Sequence, residues 1–230
     1  EIACVIIEPI PANNGLLLQR KDFLIFLRKI CSRYGALLLF DEVISGFRVG
    51  FTGAAGYYQI KPDIITYGKI IGGGLPVGAY GASKEIMSRI SPDGDVYQAG
   101  TLSGNPVAMA AGIAQLKLCL ASGYYENLES KCNLLYEGIR KIFSEKNIPA
   151  KVFSIGSIFW IAFSTADSIR SAEQIDPKSM DQFRAMYRPL LEKGIYLGPS
   201  GYEVGFVSSV HSEDDIQNTI TKLSEIFSSH

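Results

Sequence analysis

The sequence lacks any long hydrophobic run and any strong charge imbalance. Its longest apolar runs, Cys4–Ile7 and Ala36–Phe40, are far too short to span a bilayer. Lys and Arg total 22 against 23 Asp and Glu, a formal net charge of −1, so composition indicates no basic surface for nucleic acid. Composition therefore indicates neither a nucleic acid nor a membrane as a partner.

Cysteine and histidine are also scarce. The four cysteines have no CxxC spacing, and neither of the two histidines lies near a cysteine pair. A zinc site is therefore not expected, and no metal is predicted. Reduced, mostly buried thiols are typical of a cytoplasmic protein, which is the predicted location. The cysteines are Cys4, Cys31, Cys119 and Cys132.

What is present is ordinary for a chain with a substantial core: 230 residues, 47% hydrophobic and 20% charged. The chain opens with an apolar run that ends in Glu8 and Pro9, without an initiator methionine or a basic signal-peptide region. This opening is typical of a strand in mid-fold, so we expect the sequence to be the C-terminal part of a longer chain.

The first half alternates short apolar runs with amphipathic stretches, a pattern typical of α/β folds with a mostly parallel sheet. Strands are predicted at Ala3–Ile7, Ala36–Phe40, Ile64–Tyr67 and Val77–Ala82, and helices at Asp22–Tyr34, Lys84–Ile90, Pro106–Ala121 and Tyr124–Lys146.

The second half predicts a smaller α+β domain. Its expected strands are Lys151–Ser154, Ile158–Phe163, Ile195–Leu197 and Gly205–Val210, and its helices lie around Met180–Lys193 and Glu213–Phe227. Ser212 with Asp215 predicts an N-cap for the last helix. The predicted boundary lies near residue 148, which gives domains 1–148 and 149–230.

Two acids, Asp41 and Glu42, directly follow the strand predicted at Ala36–Phe40. Side chains just past the carboxyl ends of parallel strands line the ligand crevice in open sheets. A helix cap or a solvated loop acid is the alternative for either residue.

Lys69 lies among glycines and apolar residues, in the segment Tyr67–Gly74. A lysine removed from water in this way has a lowered pKa and can act as a nucleophile. The alternative is a lysine whose ammonium reaches solvent beside a flexible loop. A P-loop is excluded because Asp63 and Ile70 occupy required glycine and Ser/Thr positions, and GxGxxG is absent.

The segment Tyr97–Pro106 leads into the helix predicted to begin at Pro106. Free amides at a helix N-terminus attract phosphate, and the Thr101 hydroxyl is a further donor. An ordinary capped helix is the alternative, and GxSxG is excluded because Leu102 stands where serine is required. A buried amine, a strand-end acid and a phosphate-binding turn together are what pyridoxal phosphate requires.

The sequence resembles the class III aminotransferases of pyridoxal-phosphate (PLP) fold type I over essentially its whole length. Within that class it looks most like the aminomutases. The motifs that carry the resemblance are Phe40–Arg48, Pro62–Asp63, Gly68–Ala79, Gln98–Pro106 and Gly198–Glu203.

The resemblance implies a role for each matching residue. Lys69 would form the Schiff base and shuttle protons, and Asp41 would pair with the ring nitrogen of PLP or its pyridoxamine form. Val43 would pack on one ring face. Thr101 and Gly100 would bind the phosphate of the neighbouring subunit in a homodimer with shared active sites. The remaining implied site residues are Glu8 and Asn13, near the cofactor, and Glu203, near the substrate.

The implied reaction is an intramolecular amino transfer that converts (S)-4-amino-5-oxopentanoate into 5-aminolevulinate for tetrapyrrole and porphyrin biosynthesis. One alternative is an ω-amino acid transaminase that uses a 2-oxo acid. The others are a non-catalytic binding protein on the same fold and, less favoured, a hydrolase based on Asp41 and Glu42.

Overall fold

The computed structural model describes residues 1–228 and divides into two compact units. The first unit comprises Glu1–Ile10 and Gln19–Ser122. The second comprises Pro11–Leu18 and the chain from Gly123 onward.

The first unit contains a four-stranded sheet in chain order, with strands β1 (Cys4–Ile7), β2 (Leu37–Asp41), β3 (Ile64–Tyr67) and β4 (Ala79–Ala82). The first three strands are parallel to one another and β4 is antiparallel to β3. The predicted mostly parallel sheet is therefore confirmed. Because parallel strands end at the same edge, the residues that follow β1, β2 and β3 are brought together.

Four helices complete the first unit: α1 (Lys21–Tyr34), α2 (Gly53–Tyr58), α3 (Lys84–Met87) and α4 (Pro106–Cys119). Gly35 ends α1 with φ of 70° and donates its amide hydrogen to the Cys31 carbonyl, a left-handed C-cap that glycine adopts without steric cost. The short α2 was not predicted. Its sequence, Gly-Ala-Ala-Gly-Tyr-Tyr, has no apolar periodicity to indicate a helix.

The second unit contains an antiparallel sheet of β5 (Lys151–Ile155), β6 (Ile158–Ala162) and β7 (Gly205–Phe206), with β6 in the centre. Its helices are α5 (Tyr124–Glu145), α6 (Ser179–Glu192) and α7 (Glu213–Ile226).

The cap predicted for α7 is confirmed. Ser212 Oγ accepts the Asp215 amide hydrogen at 3.1 Å, and the Asp215 carboxylate accepts the Ser212 amide hydrogen at 2.8 Å. Two strand predictions were wrong. Ile195–Leu197 forms no strand, and only Gly205–Phe206 of Gly205–Val210 pairs, because β6 offers partners only to Gly205 and Phe206.

The structural division differs from the sequence boundary near residue 148. Helix α5 belongs to the second unit because its apolar face, including Leu135, Ile139 and Phe143, joins a buried cluster with Phe159 and Leu223. The segment Pro11–Leu18 also belongs to the second unit, although the chain continues afterwards into α1. Within residues 1–228, no single helix is long and apolar enough to cross a membrane.

Candidate active site

Three predicted site residues, Glu8, Asp41 and Lys69, lie at or just past the carboxyl ends of neighbouring parallel strands in the first unit. The register pairs Ile7 of β1 with Phe40 of β2, so the residues that follow them, Glu8 and Asp41, occupy corresponding positions on the two neighbouring strands. Asp41 is paired with Thr66, three residues before Lys69. This strand-end edge is where open parallel sheets bind ligands.

The Asp41 carboxylate is oriented by two hydrogen bonds to one of its oxygens. Oδ1 accepts the Val43 amide hydrogen at 3.0 Å and the Thr66 hydroxyl hydrogen at 3.2 Å. In the part of the chain that the structure describes, no protein donor is bonded to Oδ2. A half-buried carboxylate held in this way can accept a further hydrogen bond from a ligand.

Glu42 has a structural role, although it directly follows Asp41. Its fully buried carboxylate accepts the amide hydrogens of Ala54 at 2.6 Å and Ala55 at 2.8 Å, at the start of α2. It also accepts the Ser45 hydroxyl hydrogen at 3.2 Å. Glu42 is therefore a helix cap, as the alternative to a ligand-binding role predicted. A hydrolase that needs both Asp41 and Glu42 as catalytic acids is disfavoured, because the Glu42 carboxylate is occupied by these hydrogen bonds.

The environment of Glu42 also changes its titration. Burial raises the pKa of the Glu42 carboxyl, and the hydrogen bonds from Ala55, Ala54 and Ser45 only partly offset that effect.

Lys69 begins a 3₁₀ helix, Lys69–Gly72, and has φ of 49°. This left-handed conformation is unfavourable for a residue with a side chain, and such strain concentrates at functional sites. The expected burial of Lys69 was wrong. The side chain is exposed on an open pocket that Arg48 and Gln115 also line, because the neighbouring glycines have no side chains to cover it.

The Lys69 turn is held by direct backbone packing against α4. A β-carbon at Gly73 would collide with the Ala111 carbonyl group, and one at Gly112 would collide with the Ile71 carbonyl oxygen. Both glycines therefore allow a contact that no other residue would permit. The sequence offered no sign of this contact beyond the glycines themselves.

Val43 packs beside Lys69 through Gly68. A β-carbon built on Gly68 would lie 3.1 Å from Val43 Cγ1, so the glycine lets the valine approach the backbone just before the lysine. Val43 thus lies against the residue that precedes Lys69, and its contact with a ring remains a prediction.

Thr101 and Gly100 are exposed and precede α4. The Ser103 amide donates to the Gly100 carbonyl at 3.0 Å, which closes a tight turn. The helix is capped by Asn105, whose Oδ1 accepts the Ala108 amide hydrogen at 2.9 Å. Because this cap uses an amide that could have bound phosphate, Thr101 and its turn are the better candidates for that role.

Asn13 and Glu203 lie in the second unit, and both are exposed. The Glu203 amide donates to the Ser200 carbonyl at 2.9 Å. The Glu203 side chain passes over Gly198, where a β-carbon would collide with it. Among residues 1–228, no group of three or more His, Cys, Asp and Glu side chains could hold a metal ion.

Known proteins are similar to this chain in sequence and in fold. One relative, the glutamate-1-semialdehyde 2,1-aminomutase of Thermodesulfovibrio yellowstonii, is 45% identical over 99% of this chain and 53% of its own length. The enzyme of that name from Leptospira biflexa is 49% identical over 96% of this chain and 52% of its own length. A solved structure described as a transaminase with PLP bound has a TM-score of 0.86 and 30% identity, over 99% of this chain and 52% of that one.

The chain thus spans about half the length of the curated relatives it matches. The profile of the class III aminotransferases matches residues 1–227. The chain belongs to the class III aminotransferase family.

Proposed function

We propose that the protein is a PLP-dependent aminomutase that converts (S)-4-amino-5-oxopentanoate, glutamate-1-semialdehyde, into 5-aminolevulinate. The observation that carries the proposal is that an oriented carboxylate, Asp41, and a lysine with a strained backbone, Lys69, lie at the ends of two adjacent parallel strands. The names of the curated relatives support this substrate.

The residues at the strand ends suit PLP. Asp41 has an oxygen, Oδ2, available to hydrogen-bond a protonated ring nitrogen, and Lys69 Nζ is exposed for covalent attachment of the cofactor. When bound, the cofactor supplies an electron sink for bonds to the substrate's amine-bearing carbon. Lys69 Nζ would then carry the proton between substrate positions, and Val43 would restrain one face of the ring.

We further propose a homodimer in which Thr101 and Gly100 bind the phosphate of the cofactor held by the second copy. Helix α4 buries one narrow stripe, including Ala108, Gly112 and Cys119. It leaves Val107, Ile113 and Leu118 exposed by 68%, 55% and 56%. Exposed apolar surface of this kind is typical of a protein interface, and a second copy would cover it.

A second candidate function is a transamination with an external 2-oxo acid, which the structural similarity to a transaminase favours. The two reactions differ in stoichiometry. An aminomutase forms 5-aminolevulinate without any added oxo acid, whereas a transaminase stops after one turnover without it. Incubation of the PLP-loaded protein with the amino-aldehyde alone therefore separates them.

The proposed cofactor site is tested by borohydride reduction in the presence of PLP, followed by peptide mapping. We expect one phosphopyridoxyl adduct, on Lys69, and none there in Lys69→Ala. Lys117→Ala, which removes an exposed lysine of α4, should leave the Lys69 adduct unchanged.

The Asp41→Asn variant tests the proposed hydrogen bond between the Asp41 carboxylate and the protonated ring nitrogen of the cofactor. Because an amide cannot keep the ring nitrogen protonated as a carboxylate does, we expect weaker cofactor binding with the adduct still confined to Lys69. The absence of any specific Lys69 adduct in the folded protein would contradict the proposal.

A further inference from the structure

Trp160 lies in the second unit, on the middle strand β6 of its sheet. Its side chain is 1% exposed, and its ring stacks on Phe153 with centroids 5.7 Å apart. The indole Nε1 donates to the Gly201 carbonyl at 2.7 Å, and that hydrogen bond is buried. A buried carbonyl without this donor would lack a partner, so Trp160 fixes the turn that contains Gly201.

The same indole fixes the segment Pro11–Leu18. A β-carbon on Gly15 would lie 2.8 Å from Trp160 Cζ2, so only glycine permits this approach of backbone to ring. Gly15 also has φ of 76°, which favours glycine. Its amide donates to the Tyr202 carbonyl at 2.7 Å.

These contacts join three parts of the second unit. Strand β6 supplies the Trp160 ring, and Gly15 lies against that ring. The third part is the turn at Gly201 and Tyr202: the Gly201 carbonyl accepts the indole hydrogen, and the Tyr202 carbonyl accepts the Gly15 amide hydrogen. Asn13 lies two residues before Gly15, and Glu203 directly follows Tyr202.

We propose that Trp160 is a positioning residue that fixes the segments bearing Asn13 and Glu203 relative to one another. This inference rests on the proposed function and on the places that the family resemblance implies for Asn13, near the cofactor, and for Glu203, near the substrate. Trp160 acts through the backbone of Gly15 and Gly201. Its indole supplies both the ring surface and the N–H donor, which no other side chain combines in that shape.

The first test uses the fluorescence of Trp160, which is the only tryptophan of the chain. In Gly15→Ala the new β-carbon would displace the ring, so we expect red-shifted emission and faster acrylamide quenching. Gly194→Ala is the matched control because its φ is 81° and nothing lies within 4 Å of its β-carbon. Unchanged emission in Gly15→Ala, or an equal change in both variants, would overturn the inference.

The second test is hydrogen exchange in Trp160→Phe, which keeps a buried ring and removes the N–H donor. We expect the amides of Gly15 and of residues 200–203 to lose protection together, by about tenfold. Phe153→Leu removes the stacked ring but keeps the donor, and should leave both segments protected. Loss of protection in only one segment, or in neither, would overturn the inference.

The third readout is kinetic. In Trp160→Phe we expect KM for the amino-aldehyde to rise by about tenfold with a smaller change in kcat, because misplaced substrate contacts weaken binding. The phosphopyridoxyl adduct at Lys69 should persist. Unchanged KM and kcat in a variant whose two segments are loosened would overturn the positioning role.

A failure of the proposed function would be seen in a different experiment: the unsubstituted protein would then give no phosphopyridoxyl adduct at Lys69. The exchange measurement still decides whether Trp160 holds the two segments together.

Discussion

The two units of the molecule treat their apolar side chains differently. The second unit closes a continuous core in which α5, α6 and α7 pack on β5 and β6, and members such as Met186 and Leu190 are 1% exposed. Among the described residues, most of the exposed large apolar side chains lie in the first unit, including Ile6 at 68% and Ile113 at 55% exposure. The comparison indicates that the unit bearing Lys69 and Asp41 has surface that a further partner would cover, which the proposed homodimer provides.

The units also cap their helices differently. In the second unit Ser212 caps α7 from the adjacent position, with Asp215 completing the box. In the first unit Glu42 caps α2 from eleven positions before its first residue, as a fully buried carboxylate. A cap held by tertiary structure is more costly to remove, because its loss leaves donors that water cannot reach.

The largest expected effect is that of Glu42→Ala. The substitution leaves the amides of Ala54 and Ala55 without their acceptor, so we expect the free energy of unfolding to fall by about 3 kcal/mol. Urea unfolding followed by circular dichroism measures it. A loss as small as that of a surface substitution would refute the capping role.

A charge introduced on the exposed face of α4 tests whether a second copy covers the exposed apolar side chains of the first unit. In Ile113→Glu we expect the dimer dissociation constant to rise by at least about tenfold, because the carboxylate would be buried without a partner. Sedimentation velocity over a concentration series measures the change. Leu191→Glu, on an exposed position of α6, should leave assembly unchanged, and an equal effect of both substitutions would contradict the assignment of the interface.

The strain at Lys69 is tested by comparing two variants that both lack the amine. Lys69→Gly should be more stable than Lys69→Ala by about 1 kcal/mol, because glycine adopts a φ of 49° without steric cost. Denaturant midpoints give the difference. Equal stability would show that the turn relaxes when the lysine is removed.

Removal of the local cap is expected to have a smaller effect than removal of Glu42. Ser212→Ala should lower the free energy of unfolding by about 1 kcal/mol, because α7 loses one capping hydrogen bond at its N-terminus. The measurement is the same urea unfolding. A loss equal to that of Glu42→Ala would remove the distinction between the two caps.

The smallest effects are pH dependences of opposite sign. Burial raises the pKa of Glu42, so its contribution is present below the unfolded value of about 4.3 and is lost as pH rises through the folded pKa. Hydrogen bonds from Ser212 lower the pKa of Asp215, so its contribution is lost as pH falls through the folded pKa.

The stability advantage of the unsubstituted protein over Glu42→Gln should therefore shrink as pH rises from about 4, and its advantage over Ser212→Ala should shrink as pH falls below about 4. Unfolding measured between about pH 3 and pH 7 tests both slopes. Parallel slopes would contradict the assignment.

The elements that were predicted well are those with local signals. Strand Ile64–Tyr67 has the predicted bounds, and both bounds of α1 and α7 lie within one residue of the prediction. Gly35 marks the end of α1, and Ser212 marks the start of α7. The position of Asp41 at a strand end also followed from the buried run before it.

Features that depend on distant contacts were missed. Helix α2 depends on Glu42, and the turn that gives Lys69 its left-handed backbone packs against α4 through Gly73. The transfer of Pro11–Leu18 to the second unit depends on Trp160 and Tyr202. None of these contacts leaves a periodic pattern in the sequence, so local propensities could not indicate them.

The backbone contact between the Lys69 turn and α4 has a consequence for engineering. Because Gly73 and Gly112 bring main chain against main chain, no side chain separates the Lys69 turn from α4 at these two contacts. Under the proposed function, Leu75, which lines the neighbouring pocket, is a position to vary for altered substrate scope without a change in this backbone contact. In such a library Gly73 and Gly112 should be held constant, since any β-carbon there would shift the turn itself.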